Sequence, residues 1–245
     1  MRFASIYMAS TLVATSVMAE DVAYTVGGES FTGYWAEAEN PKGLVVIVHD
    51  WDGMTDYERK RADMLAEMGY NAFALDMFGD GTPAETVDHR RAATGALYQD
   101  RARMRALVQA GVEQAQARSS VDEMIVKGYC FGGAVALEMA RSDMGDMASG
   151  YATFHGGLST PEGQAWDGDE PPVLVLHGGA DTSITMEDVA TFATELEAAG
   201  NTYTIEVYSN APHAFTVFGS DRYQERADTA SWETFSAFLG EHFAS

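Results

Sequence analysis

One cysteine occurs in the 245 residues, within Gly128-Tyr129-Cys130-Phe131-Gly132-Gly133 and directly after the apolar run Met124-Ile125-Val126. Glycines two residues before and two after a nucleophilic side chain, at the end of a strand, form the pattern of a nucleophile elbow. There the chain turns sharply from strand into helix and holds the central side chain in a strained, exposed conformation. The glycines leave room for neighbouring backbone that any larger residue would crowd. A helix starting at Phe131 aims its unpaired N–H groups and positive dipole end at the sulfur, which favours the reactive thiolate. The ordinary alternative is a small buried core cysteine. A core cysteine needs no glycine bracket, and Gly132-Gly133 would only weaken a structural helix start.

Two further residues follow at strand ends. The run Val173–Leu176 leads into His177-Gly178-Gly179-Ala180-Asp181, and the strand ending at Val207-Tyr208 leads into Ser209-Asn210-Ala211-Pro212-His213-Ala214-Phe215. Thiol, carboxylate and imidazole in this chain order supply a nucleophile, an orienting acid and a general base. Taken singly, Asp181 is a turn residue and His213 a solvated loop histidine; three such residues at successive strand ends are a poor match to chance. His49 either lines the site or stabilises a turn, and His155 and His177 are expected to be hydrogen-bonded locally. With one cysteine, no H-E-x-x-H and no paired C-x-x-C, there is no metal site to argue for. No cofactor is expected.

The elements that must position these side chains alternate along the chain. Leu44–Val48 reads as a buried parallel strand, residues 57–68 as an amphipathic helix stopped by Gly69, and Asn71–Leu75 as the next strand. Helices are expected at 87–98 and 100–117, then the strand into Cys130 and the helix after it. Strands at 151–154, 173–176 and 203–207 alternate with helices near 186–199 and 224–242. Segments 22–26 and 31–37 read as a leading antiparallel pair. Such βαβ alternation implies a mostly parallel sheet with helices on both faces, and ligands beyond the carboxyl ends of its strands.

With this order of elements and residues, the chain resembles the dienelactone hydrolase family within the α/β-hydrolase fold, from about Asp21 to the C-terminus. The resemblance rests on G-Y-C-x-G-G at 128–133, H-G-G-A-D at 177–181, A-P-H-A-F at 211–215, the segment Val46–Gly53, and Gly69-Tyr70 followed by Asp76. It implies that Cys130 attacks a carbonyl, with His213 as base and Asp181 holding the imidazole. It also implies that the backbone N–H groups of Phe131 and Trp51 form the oxyanion hole.

Two departures bear on the site. Asp50 stands where the family's founding enzymes carry a glutamate that holds the resting thiol, and it is one methylene shorter; its alternative role is a turn or helix N-terminal carboxylate. Val217 stands where those enzymes carry a carboxylate-binding arginine a few residues after the histidine. A second such arginine corresponds to Arg90 or Arg91, each otherwise a solvated helix residue. The lost cation argues against a dianionic or dienelactone substrate, and Trp51, Phe78, Phe131 and Phe215 suggest an apolar pocket or simple packing.

The expected reaction is hydrolysis of a small ester or lactone through an acyl-thioester. Its rivals are acyl transfer on the same triad and a non-catalytic secreted binding protein of the same fold.

The formal net charge is −22, which sets aside nucleic acid and anionic membranes as partners, since phosphate binding needs a basic surface. Met1-Arg2 begins a mildly apolar segment through Val17, and Val17-Met18-Ala19 suits cleavage after Ala19. The expectation is therefore a signal peptide over 1–19, one catalytic domain over 20–245, and a monomer exported to the periplasm. There, a lone free thiol is a liability unless it is used or deeply buried.

Overall fold

Leu44–Val48 is buried on both faces, and its alternation sorts the interior into two layers. Val46 and Val48 pack with Met104, Leu107, Val135 and Phe192 on one side; Val45 and Ile47 pack with Ala62, Leu65, Phe235 and Leu239 on the other. A strand covered on both faces reads as a continuous apolar run, which is why the central strands were visible in the sequence.

The computed structural model describes residues 18–243. Its strands are β1 (Met18–Val26), β2 (Glu29–Glu37), β3 (Leu44–Val48), β4 (Asn71–Leu75), β5 (Met124–Tyr129), β6 (Gly150–Phe154), β7 (Val173–Gly178) and β8 (Tyr203–Tyr208). The helices are α1 (Asp56–Glu67), α2 (Val87–Gln99), α3 (Arg101–Gln116), α4 (Phe131–Ala140), α5 (Met186–Ala199) and α6 (Glu225–His242). The sheet order is β1-β2-β4-β3-β5-β6-β7-β8. β2 is antiparallel to both β1 and β4, and every other pairing is parallel. β5 thus lies at the centre, flanked by β3 and β6, and its carboxyl end opens among the loops that follow β3, β6, β7 and β8.

Boundaries shift where polar residues enter a strand. β1 extends back to Met18 because its outer residues pair in register with β2 although they are exposed. Of the expected signal peptide, residues 1–17 lie outside the described residues, while Met18 and Ala19 pair with Glu37 and Ala36. β5 continues through Lys127, which is fully buried. Its ammonium lies 4.0 Å from the Tyr129 ring centroid, 4.3 Å from that of Phe154, and 4.9 Å from those of Trp232 and Phe235. This aromatic box offsets part of the desolvation of a cation, and burial still pushes the Lys127 pKa well below its ordinary value. Arg61 enters the same box, ion-paired with Asp228 and donating to Thr216 O at 2.9 Å.

α4 is fastened by a buried charge. Glu138 accepts from Arg101 at 2.7 Å and Arg105 at 2.6 Å, both on α3, and from Gln164 at 2.9 Å. The helix that carries the elbow is thereby tied to its neighbour and to the loop after β6.

Candidate active site

Cys130 ends β5 and caps α4 with φ 49° and ψ −108°. This left-handed backbone costs a non-glycine residue on the order of 1–3 kcal/mol, and the surroundings must hold it. Its N–H donates to Phe154 O at 3.0 Å, and its carbonyl accepts from Ala134 N at 3.2 Å. A Cβ on Gly128 would lie 2.0 Å from Gly132 O, and one on Gly132 would lie 2.2 Å from Val48 O. The glycines therefore permit β5, α4 and β3 to close on one another around the sulfur.

The loops after β7 and β8 deliver the partners. His213 Nε2 lies 3.1 Å from Cys130 Sγ, and Nδ1 lies 2.7 Å from Asp181 Oδ2. Asp181 Oδ1 accepts the N–H groups of Ser183 at 2.8 Å and Ile184 at 3.0 Å. Burial would raise this carboxyl, but the hydrogen bonds from His213 and from the Ile184 and Ser183 amides outweigh it and hold its pKa below the ordinary value. An ionised Asp181 keeps the proton on Nδ1 and leaves Nε2 to accept from the thiol.

The expected bias toward thiolate is not what the structure gives. Burial first, then the charge of Asp50 and its capacity to accept the S–H, push the Cys130 pKa well above its ordinary value, against the Phe131 N–H that lowers it. A helix N-terminus is a weaker influence here than desolvation beside a carboxylate. The raised pKa favours the neutral thiol at Cys130.

Asp50 is 5% exposed, and its Oδ1 accepts the N–H of Trp51 at 2.5 Å. Burial raises its pKa to about 7; the Trp51 amide opposes this, and the charges of Asp52 and Glu58 add to it. Its carboxyl bears on the thiol electrostatically, while the well-formed hydrogen bond of the sulfur goes to His213. The short side chain has folded back onto its own following amide. Of the two expected oxyanion donors, the Phe131 N–H faces the sulfur and the Trp51 N–H is engaged by Asp50.

The remaining expected site residues divide. The Phe78 ring sits 4.6 Å from His49 and 5.7 Å from Phe131, and it lines a cleft of about 500 Å³ with Asp52, Asp80 and Arg90. That cleft opens beside the loop carrying Trp51 rather than at Cys130 itself. Arg90 reaches it, with its guanidinium 5.5 Å from the Trp51 ring centroid and Nε donating to Ala84 O at 2.6 Å. Arg91 is exposed on α2. Phe215 does not line a pocket: it is wholly buried against His155 and Tyr208, because the loop turns its side chain into the core beneath α6.

His49 is buried within the loop framework. His155 accepts or donates at Thr216 Oγ1 (2.9 Å) with its ring 5.3 Å from that of His213, and His177 meets Ile184 O at 3.1 Å.

Tyr98 escaped the sequence reading. Its ring meets Phe131 edge-on at 5.5 Å. Burial raises its phenol pKa, with Arg101 opposing. On α2 the buried residues are Thr94 and Leu97, which puts Tyr98 at the rim of the packed stripe; residue type alone gave no sign that this rim faces the sulfur.

Comparison with known proteins agrees with this fold. A carboxymethylenebutenolidase-like protein of Escherichia coli is 27% identical over 244 residues, spanning 92% of this chain and 90% of its own. The carboxymethylenebutenolidase of Rhodococcus opacus is 30% identical over 179 residues, 70% of this chain and 69% of its own. The crystal structure of a dienelactone hydrolase-like promiscuous phosphotriesterase from metagenomic libraries superposes with a TM-score of 0.83 at 29% identity, covering 92% of this chain and 98% of that one. The sheet and helices are those of the α/β-hydrolase fold. The dienelactone hydrolase family model matches residues 31–243; the chain belongs to the dienelactone hydrolase family and is a hydrolase of that type.

Proposed function

We propose that the protein hydrolyses small carboxylic esters or lactones through Cys130, His213 and Asp181. The observation that carries this reading is the single imidazole placed 3.1 Å from Sγ and 2.7 Å from the Asp181 carboxylate. As the sulfur attacks the carbonyl carbon, Nε2 takes the thiol proton, so the neutral resting thiol becomes a nucleophile only when substrate is in place. The carbonyl oxygen gains the negative charge and takes the Phe131 and Trp51 N–H groups, displacing Asp50 from the latter. His213 then gives its proton to the departing alkoxide, leaving an acyl-thioester. Water, deprotonated by His213, attacks the thioester, and the acid leaves as the thiol is restored. One ester and one water become one acid and one alcohol.

The relatives' names point to a butenolide, an unsaturated lactone, as a first substrate class; with Val217 in place of the arginine, one without a carboxylate is favoured. A phosphotriester is a second, since the solved relative at 29% identity is named for that activity. The test is turnover of short-chain p-nitrophenyl esters, simple lactones and a phosphotriester by wild type and Cys130→Ala. Ester turnover that vanishes in the variant supports the reading; turnover that survives in Cys130→Ala assigns the chemistry elsewhere.

Export with cleavage after Ala19, and action as a monomer, complete the proposal. A mature chain starting at Glu20 would still pair Glu20–Val26 with β2. N-terminal sequencing of the protein from separated cell fractions checks the first; a cytoplasmic chain starting at Met1 overturns it. Size-exclusion chromatography checks the second.

A further inference from the structure

We propose that His49 is a positioning residue for the oxyanion hole: its imidazole sets the plane of the Asp50–Trp51 peptide and hence the direction of the Trp51 N–H. The proposal rests on the ester-hydrolase reading above. One planar peptide unit contains both the Asp50 carbonyl and the Trp51 N–H, so fixing the oxygen aims the hydrogen. His49 Nδ1 lies 2.5 Å from Asp50 O, and Nε2 lies 3.1 Å from the Met77 amide nitrogen. The second contact decides the tautomer. An amide N–H can only donate, so Nε2 accepts, and Nδ1 carries the hydrogen that goes to Asp50 O. Asp76 Oδ1, 3.9 Å from Nε2, is beyond hydrogen-bonding range and is taken by the N–H groups of Phe78 at 2.8 Å and Gly79 at 3.2 Å.

The ring is fully buried, and that burial pushes its pKa down, which keeps it neutral and in one tautomer. Phe78 at 4.6 Å and Phe131 at 6.1 Å stop it from turning. The neighbouring backbone is tied as well. Gly53 N–H donates to the same Asp50 oxygen at 3.2 Å, and Asp50 N–H donates to the buried Glu58 Oε1 at 3.3 Å. His49 alone of these joins the donor's peptide to a different strand end, that of β4.

Oxyanion donors act on the transition state rather than on bound substrate, so a misaimed donor lowers kcat and leaves KM nearly unchanged. Three variants separate the contacts. His49→Phe keeps the ring packing and loses both hydrogen bonds, His49→Asn keeps a donor near the Nδ1 position, and His49→Gln keeps a polar group only near Nε2. With p-nitrophenyl esters, His49→Phe and His49→Gln are expected to lose about 100-fold in kcat, the cost of a misplacement of about 1 Å. KM should move less than about threefold, and His49→Asn should recover at least about tenfold of the loss.

Alkylation of Cys130 by iodoacetamide builds no oxyanion, so its rate should not fall with kcat in any of the three variants. Unchanged kcat in His49→Phe, or an Asn variant no better than Gln, overturns the proposal. Alkylation that falls in step with kcat also overturns it, because the defect would then lie in the thiol–imidazole pair. If His49→Phe loses its near-UV circular dichroism, the Asn and Gln variants decide between them. Failure of the underlying reading is visible separately, as wild type without turnover or Cys130→Ala with it, and either result removes this proposal too.

Discussion

Asp50 Oδ1 accepts the Trp51 N–H, so a substrate oxygen entering the proposed oxyanion hole would compete with a carboxylate already seated there. The same carboxylate raises the thiol pKa by its charge. Replacing it with an amide removes the charge and keeps an oxygen for Trp51. Asp50→Asn should therefore speed iodoacetamide alkylation of Cys130 at neutral pH by roughly tenfold, one pKa unit of thiol acidity. Alkylation no faster than wild type would mean that Asp50 does not govern the sulfur.

The substitution also bears on stability. The Asp50 carboxyl is raised to about 7 in the folded protein, against about 3.9 in an unfolded chain. Between those values the unfolded chain gives up its proton while the folded one keeps it, so stability falls as pH rises from about 4 to about 7. Asp50→Asn does not titrate. Its melting temperature should gain on wild type across that window and hold a lead of roughly 10 °C above it, as melts at two pH values on either side will show.

The elbow is a property of elements more than of one residue. A Cβ on Gly132 would strike Val48 O at 2.2 Å, a backbone atom that cannot rotate away. Gly132→Ala should thus push α4 off β3, cost more than about 3 kcal/mol in chemical denaturation, and abolish activity. Gly95, in the middle of α2, has nothing within 4 Å of its missing Cβ. Gly95→Ala should instead stabilise by about 0.5–1 kcal/mol, measured the same way.

These contrasts also mark what the sequence could disclose. Leu44–Val48 and Val173–Leu176 announced themselves because a strand covered on both faces is an uninterrupted apolar run; Cys130 and Asp181 follow apolar runs, whereas His213 follows the mixed strand Tyr203–Tyr208. Lys127 interrupts the apolar run of β5, and only the rings of Tyr129, Phe154, Trp232 and Phe235 explain why a lysine is there. His49 and Glu58 take their meaning from amides brought to them by the fold. Phe215, two residues after His213, reads as a pocket wall in sequence, but the loop geometry turns it inward. The ionisation of Cys130 was misjudged for the same reason: a helix start is local and legible, whereas burial beside Asp50 is not.

Across the molecule, charge is both a burden and a fastening. A net charge of −22 loads the surface with mutual repulsion, which salt screens over a Debye length of about 3 Å at 1 M. The melting temperature should rise as KCl is increased from about 0.05 M to about 1 M; a flat or falling response would show that surface repulsion contributes little. The interior works the other way. Glu138 has no exposed side-chain surface, and Arg141, 3.9 Å away, is itself 2% exposed. Glu138→Gln leaves that guanidinium buried without its counter-charge, at an expected cost of about 3–5 kcal/mol in urea unfolding.

The lone thiol stands at the carboxyl end of the central strand, β5. With a single cysteine in 245 residues, any thiol reagent titrates this position and no other, one equivalent per chain. The competent fraction of a preparation can be counted before a rate is measured. An acyl group caught on that sulfur from a crude mixture of metabolites would register as one added mass at one known residue, so that the protein reports the identity of its own substrate.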